Sequence, residues 1–438
     1  MASLRIIPTK DSLEAVDIAL ANSNERRNVT GVQIHSTLER GDPGWEDDTA
    51  YRNEDLHDPQ IFHAEKPTGF LPMLRKLGRF ENLETVSLKY AIGCASDTSG
   101  DNDPYHWIEV EDDRHPVLAA LFEGLNDSKH PARKVHTLSI KNLQNVAKHE
   151  IMTSENCKAV LSRLKSLHLQ VTTEQLNHKY QWKNCEFPEV HRFYGEELKK
   201  YWLQPVQSQL ENLQIYGAED YWGYYPLCDL RDIHFPRLKS LMLGQMTFYH
   251  EWQMRWILKH RTLERLVLDS CPILHGCRFG APFGYDREPP GLEQAIHNTA
   301  WDQSAWLYGM RWQDAFDRIR CGLPKLKYFG FGHGSWGEDE QRAFEEAEML
   351  PAKIYPQRYV IFDKQTLPFP WIWPESAREN QGSIAGTSME ERFEQYDCCW
   401  DEHPPYPDAD VADASALQEL KEEIARRNSG PQPYWHRR

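Results

Sequence analysis

Residues 238–273 read LKSLMLGQMTFYHEWQMRWILKHRTLERLVLDSCPI. Two copies of one pattern bracket this stretch: Leu238, Leu241 and Leu243, then Leu263, Leu266 and Leu268, each at i, i+3 and i+5. A strand turns successive side chains to opposite faces, so the last two leucines of each copy share a face. Between the copies, Trp252, Trp256 and Lys259 keep helical spacing. Strand, helix, strand in this order is the L-x-x-L-x-L repeat unit, in which each copy buries its apolar edge on the next.

Working outward, the pattern recurs at Val29/Val32/Ile34, Leu83/Val86/Leu88, Val135/Leu138/Ile140, Leu164/Leu167/Leu169, Leu210/Leu213/Ile215 and Leu326/Phe329/Phe331. Consecutive copies start between 25 residues apart, Leu238 to Leu263, and 63 apart, Leu263 to Leu326. Insertions therefore interrupt a basic unit of about 20–29 residues. Some read as helix: Phe70, Leu74 and Leu77 precede the second copy, and Trp312, Phe316 and Ile319 precede the last. At the start, Leu4, Ile6 and Ile7 suggest a further strand, followed by a helix capped by Ser12 with Val16, Ile18 and Leu20 among its apolar residues. The expected fold is α/β, an irregular leucine-rich-repeat solenoid (horseshoe) with a parallel concave sheet and outer helices.

The domain reading places the solenoid at residues 1–365 and a Pro-rich, partly flexible segment at 366–412, where Pro368, Pro370 and Pro374 precede a run of small polar residues. Residues 413–438 follow as a C-terminal helix and tail. Ser415 and Gln418 match a capping box there, and Leu417, Leu420 and Ile424 share the face that docks on the array.

Composition narrows the function. With 66 acidic against 50 basic residues, the 438-residue chain carries a net charge of −16. Like-signed fields repel, so nucleic acid and anionic membranes are not expected as partners. No apolar run of about 18 residues suggests a span, and no leader pattern follows Met1, so the chain is read as intracellular, cytoplasmic or nuclear. Nine cysteines without disulfide-type spacing fit reduced thiols, and the Asn28 and Asn126 glycosylation patterns are short enough to arise by chance.

Motifs of serine hydrolases, zinc proteases, nucleotide-binding loops and Cys-x-x-Cys pairs are not found, so no catalytic residue, cofactor or metal is assigned and the protein is not read as an enzyme. Cys271, His275 and Cys277 lack a clear fourth ligand and read as structural. The aromatic run Tyr221, Trp222, Tyr224 and Tyr225 is either a partner anchor or a plug over the sheet, the latter being favoured; Trp301, Trp306 and Trp312 are read in the same way. What remains is a surface. Residues alternating with the repeat leucines should pave the concave face, and from them Lys89, Lys141, His168, Gln170, Gln214, Tyr216, Met242, Arg265, Asp269 and Tyr328 are the candidate partner-binding residues. Their mixed charge and their Tyr, Met and Arg content suit a protein partner.

A further signal lies in residues 213–274. The W-G-Y-Y-P stretch at Trp222–Pro226, H-F-P-x-L-x-x-L-x-L-G at His234–Gly244, W-x-x-x-W-I at Trp252–Ile257 and L-x-x-L-x-L-x-x-C-P-I at Leu263–Ile273 follow in one order. This order resembles the repeat region of the F-box-like leucine-rich-repeat proteins of filamentous fungi, and the resemblance extends over roughly residues 130–425 through RWQDAFDRIRCGLPKLKYFGFGHGSW and RYVIFD. It implies a substrate-recognition subunit of cullin-RING (SCF-type) ubiquitin ligases, with the cullin-ligase adaptor as a second partner. The L-P-x-E-I-L-type helix that opens an F-box is not found. The alternative is a free-standing scaffold that binds protein partners without a ligase role.

Overall fold

A computed structural model describes residues 2–39, 42, 61–62, 66–91, 93–95, 109–174, 187–217, 221–278, 292–297, 305–333, 350–363 and 407–429. The chain divides into two compact units: residues 1–184, 188–220 and 235–237 form the first, and 185–187, 221–234 and 238–438 the second.

The first unit alternates strand and helix: β1 (Ala2–Ile6), α1 (Lys10–Ala21), β2 (Val29–His35), α2 (Phe70–Leu74), β3 (Thr85–Lys89), α3 (Glu111–Leu125), β4 (Thr137–Gln144), α4 (Glu155–Leu161), β5 (Ser166–Thr172), the π-helical α5 (Phe193–Leu203) and β6 (Asn212–Gly217). The six strands pair in parallel and in chain order. Short helices make this possible, because parallel neighbours need a crossover that returns the chain to the same end. Every apolar residue of the repeat pattern in this unit is at most 6% exposed, a contribution of about 2 kcal/mol for each fully buried Leu or Ile. Crossovers pack closely where glycines allow it. A Cβ on Gly124 of α3 would lie 2.0 Å from the carbonyl oxygen of Leu74 at the end of α2, and one on Gly78 would lie 1.9 Å from that of His130.

The start of the chain differs from the sequence reading in one detail. Thr9, rather than Ser12, caps α1 by accepting from the Ser12 amide, while the Ser12 hydroxyl accepts from Ile7 N–H. Leu13, Val16 and Leu20 are buried, and Ile18 is 66% exposed because it falls on the opposite side of the helix.

The second unit holds β7 (Ser240–Gly244), α6 (Glu251–Lys259), β8 (Arg265–Asp269), β9 (Ile273–Arg278), β10 (Ala295–His297), β11 (Ala305–Tyr308), α7 (Trp312–Gly322), β12 (Tyr328–Gly332), β13 (Tyr359–Asp363) and α8 (Asp410–Asn428). Strands β7, β8 and β12 continue the repeat and pair in parallel. The other four form a separate mixed sheet in the order β10-β11-β9-β13, with RYVIFD supplying β13. Helix α6 begins in a capping box built from His250 and Gln253.

The C-terminal helix starts earlier than Ser415. It runs Asp410–Asn428, so Ser415 lies inside it and caps nothing. Leu417, Leu420 and Ile424 are buried as the spacing predicts. The docking is polar as well. Asp413, fully buried, accepts from Arg358 Nε at 2.8 Å, Tyr359 Oη at 2.9 Å and the Gln313 amide at 2.8 Å, and Arg427 donates to the α7 carbonyl oxygens of Leu323 and Arg320. Those carbonyls belong to a helix C-terminus, where a cation is favoured. The Pro-rich stretch expected at 366–412 lies outside the described residues up to position 406.

Candidate functional site

Strand register sets the geometry of the sheet face that does not carry the repeat leucines. In the first unit, Ser3, Gly31, Thr85, Thr137, Ser166 and Asn212 align across all six strands. Arg5, Gln33, Ser87, Ser139, His168 and Gln214 form the next row. Beyond it, Lys89 pairs in register with Lys141 and Gln170 with Tyr216. Neighbouring strands lie about 4.8 Å apart, so each row is a continuous polar strip. Its first row is mostly small hydroxyl side chains, flanked by longer ones.

Of the ten residues expected to line a partner surface, Lys89, His168, Arg265 and Tyr328 are half-buried. Lys141, Gln170, Gln214, Tyr216, Met242 and Asp269 are buried, at 8%, 3%, 5%, 0%, 1% and 2% exposure. The expectation that these six lie open on the face is corrected. In the second unit the cause is visible: Leu350 and Pro351 lie over the sheet, where a Cβ on Gly330 would meet the Leu350 carbonyl oxygen at 2.8 Å, and Tyr328 Oη donates to that same oxygen. In the first unit, the buried Gln170 and Tyr216 are in-register neighbours. Arg265 sets its guanidinium 4.8 Å from the Tyr328 ring centroid, a cation–π contact between in-register neighbours. Burial holds His168 down to about 4, so it is neutral at pH 7.

The most open part of the face lies in the first unit, where Ser3, Arg5, Gln33 and Thr85 are exposed and Ser87, Thr137 and Ser139 half-buried. Sequence reasoning passed over Arg5 and Gln33 because β1 and β2 give the weakest copies of the pattern.

An ion network missed in the sequence supports this face. Glu109, fully buried, accepts from Ser36 Oγ at 2.8 Å, the Ala91 amide at 2.9 Å and Lys66 Nζ at 3.0 Å, with Arg114 Nε 3.8 Å away. Arg114 in turn donates to the carbonyl oxygens of Asn142 at 2.7 Å and Gly93 at 2.9 Å and lies 5.1 Å from the Tyr90 ring centroid. Burial pushes the Glu109 carboxyl up, but the Arg114 and Lys66 charges and the Ala91 N–H outweigh it and hold the group below its ordinary value. The network ties together the ends of β2, β3 and β4. No local motif announces it, since its members are spread from Ser36 to Asn142.

At the end of β4 the backbone departs from the regular ladder. Ile140 pairs with Leu169 and Leu143 with Val171, so two residues on β4 oppose Gln170 alone, and Asn142 takes φ 55°. Gln245 after β7 and Ser270 after β8 take φ 59° and 50° at the same point of their repeats. One residue after Ser270, Cys271 fills the asparagine/cysteine position of the repeat and donates its thiol to Leu243 carbonyl oxygen at 3.2 Å, joining one repeat to the one before.

The remaining candidates are structural. Cys271, His275 and Cys277 are buried, and among the described residues no group of three His, Cys, Asp or Glu side chains is placed to hold a metal ion. Trp222 and Tyr224 are fully buried; Trp222 Nε1 donates to Gly244 carbonyl oxygen at 2.8 Å, and the Tyr224 ring meets Tyr249, Tyr308 and Phe362 edge-on. Trp312 packs on Phe316 and donates to Arg358 carbonyl oxygen at 2.9 Å. Trp306 is half-buried against His297, and Trp301 lies outside the described residues. The second unit also has an open cavity of about 300 Å³ lined by Tyr249, Glu251, Tyr308, Met310, Asp314 and Arg318. Arg318 binds Glu251 at 3.0 Å and holds that carboxyl below its ordinary range, so Glu251 is not poised to exchange a proton near neutrality.

No family model and no curated protein matches the sequence. Among solved structures, an internalin (inlF) from Listeria monocytogenes is similar at 10% identity, over 82% of this chain and 72% of that chain, with a TM-score of 0.28. At that score the likeness adds nothing to the strands and registers given above. They suffice: the chain has a leucine-rich-repeat α/β fold. Each unit stacks L-x-x-L-x-L strands in parallel register, with helices in the crossovers. Among the described residues no helix is long and apolar enough to cross a membrane.

Proposed function

We propose that the protein is a protein-binding module whose recognition surface is the open sheet face of the first unit. One observation carries the reading: polar side chains stand in register across six parallel strands, backed by fully buried leucines and isoleucines. Such a face is rigid, so a partner meets side chains already held in place, and less conformational entropy is lost on binding. Gln33, His168 and the hydroxyl groups carry no charge near pH 7, and the exposed Arg5 is already paired with Asp42 at 2.6 Å, so the face offers little uncompensated charge to draw a polyanion. Substituting Thr85→Arg together with Ser87→Arg blocks the face without touching the core. Partners captured by the tagged wild-type chain should be lost from the doubly substituted chain at unchanged thermal stability. Retention of every partner would remove the face from consideration.

A second reading follows from the resemblance of residues 213–274. There the protein acts as a substrate-recognition subunit of a cullin-RING ubiquitin ligase, inside the cell, and its captured partners are substrates. The motif residues themselves, among them Trp222, Leu241, Trp256 and Cys271, are buried framework, so partner choice on this reading again falls to the sheet face. The two readings separate in one experiment. Co-purification of a cullin adaptor supports the ligase role, and its absence while other partners are retained supports a free-standing scaffold.

A further inference from the structure

The open cavity of the second unit, about 300 Å³, serves neither the core nor the sheet face of the first unit. Its lining comes from three places in the chain. Tyr308 ends β11 and is followed by Gly309 and Met310; Asp314, Ala315 and Arg318 belong to the first two turns of α7; Tyr249 and Glu251 stand on either side of the His250 cap of α6. Gln294 completes it.

The walls are of two kinds. Tyr249 and Tyr308 are nearly buried, and both rings meet the fully buried Tyr224 edge-on, with centroids 5.2 and 6.2 Å from it. They are held in place before anything binds, so little order is lost when something does. The other part is charged. Arg318 is bonded to Glu251 at 3.0 Å, whereas Asp314 is exposed and, among the described residues, no ion pair or hydrogen bond engages it. Two carboxylates and one guanidinium leave one negative charge uncompensated. The positive end of α7 does not consume it, although Asp314 stands in the first turn. There the Gln313 amide already donates to the buried Asp413 carboxylate, and the Trp312 amide to Tyr359 Oη, both at 2.8 Å.

Tyrosine walls accept alkyl and aryl groups and favour cations among them. An anion would meet Asp314, and could reach Arg318 only by displacing Glu251. A single positive charge on an apolar stem satisfies both kinds of wall, and the volume, at the low end of the range of about 300–1,000 Å³ for small-ligand sites, limits the stem to about the size of one side chain. We propose that this cavity binds a monocationic alkylammonium or guanidinium group, carried either by a lysine or arginine side chain of a protein partner or by a free small amine. Asp314 is its counter-ion, and Tyr249 and Tyr308 receive its stem.

Met310 lines the cavity, so its methyl group reports occupancy. In the full chain labelled at methionine methyl carbons, with the Met310 signal assigned from Met310→Leu, four probes are titrated by NMR: the N-acetyl methylamides of lysine, arginine and norleucine, and phenethylamine. At least one cation should shift the Met310 signal to saturation. The norleucine probe, which keeps the lysine stem without its ammonium, should bind at least about tenfold more weakly, as the loss of a charge-assisted bond requires. Asp314→Asn should weaken the cation by a similar factor at unchanged melting temperature. Asp317→Asn, on the same helix but outside the lining and bonded to Arg320 at 2.8 Å, changes the net charge equally and should leave the affinity as it is. A response to the lysine or arginine probe assigns the site to a partner's side chain, and a response to phenethylamine alone assigns it to a free amine. No saturable shift with any cation, equal binding of the norleucine probe, or equal effects of Asp314→Asn and Asp317→Asn each overturns the proposal.

Discussion

Replacing Arg114 by Met tests the network beneath the sheet face. Arg114 is 3% exposed and Glu109 fully buried. Met keeps much of the apolar stem but removes the charge nearest Glu109 after Lys66, together with the bonds to Asn142 and Gly93. Removing one member of a buried ion pair costs about 3–5 kcal/mol, chiefly because the other charge is left without compensation. Lys66 remains on Glu109, so the expected loss lies near the lower figure, about 3 kcal/mol. The internal control is Arg75→Met. Arg75 also meets a glutamate, Glu123, but both side chains are more than 40% exposed, and such a pair is worth about 1 kcal/mol at most. Native-state hydrogen exchange of amides in β3 and β4 reports the first unit separately from the second. It should accelerate on the order of 100-fold for Arg114→Met and less than about tenfold for Arg75→Met.

The same substitution has a pH signature. Glu109 titrates below its ordinary value of 4.5 in the folded chain, so its stabilisation is complete above that value and is lost as pH falls through the depressed one. Without Arg114 the depression shrinks and acid unfolding of the unit should begin at higher pH. If Arg114→Met and Arg75→Met were equally harmful, or the acid limb did not move, the assignment of this network as the unit's buried electrostatic support would be wrong.

Two further outcomes are expected. Asp413→Ala leaves the Arg358 side chain, 3% exposed, with the exposed Asp410 as its one remaining carboxylate partner among the described residues, at a cost of about 3 kcal/mol; proteolysis should then release helix α8 under conditions where the wild-type helix is protected. His260, 1% exposed, is held down to about 4 by burial and by the stacked His234. The unfolded chain takes up a proton there below about 6.5, so stability is full above that pH and declines by about 1.4 kcal/mol per unit down to about 4. Urea unfolding of His260→Gln across this window should show a shallower decline, and an unchanged slope would refute the assignment.

The repeat strands were legible because their signal is local. Leu238/Leu241/Leu243 and Leu263/Leu266/Leu268 declare a buried edge by spacing alone, and the helix between them by Trp252 and Trp256. The C-terminal helix was legible for the same reason, through Leu417, Leu420 and Ile424, while its start was not. Ser415 imitates a cap, but the stretch from Asp410 is helical because Asp413 reaches Arg358, a residue more than fifty positions away in the chain.

The candidate surface was legible only in part, because alternation predicts which way a side chain points and not what lies over it. Met242 and Asp269 face where the pattern puts them and are nevertheless buried. Gln144 shows the limit most clearly. Its face depends on one extra residue at Asn142, whose trace in the sequence is the step of three from Ile140 to Leu143, and whose left-handed backbone is held by Arg114 from another crossover. The sequence by itself determined the repeat, the parallel α/β architecture and the buried leucine ladder, since these follow from periodicity and burial along a few residues. Only the tertiary structure decided which polar residues stay open and which charges meet beneath them. Those depend on contacts between residues tens of positions apart, and no local pattern encodes them.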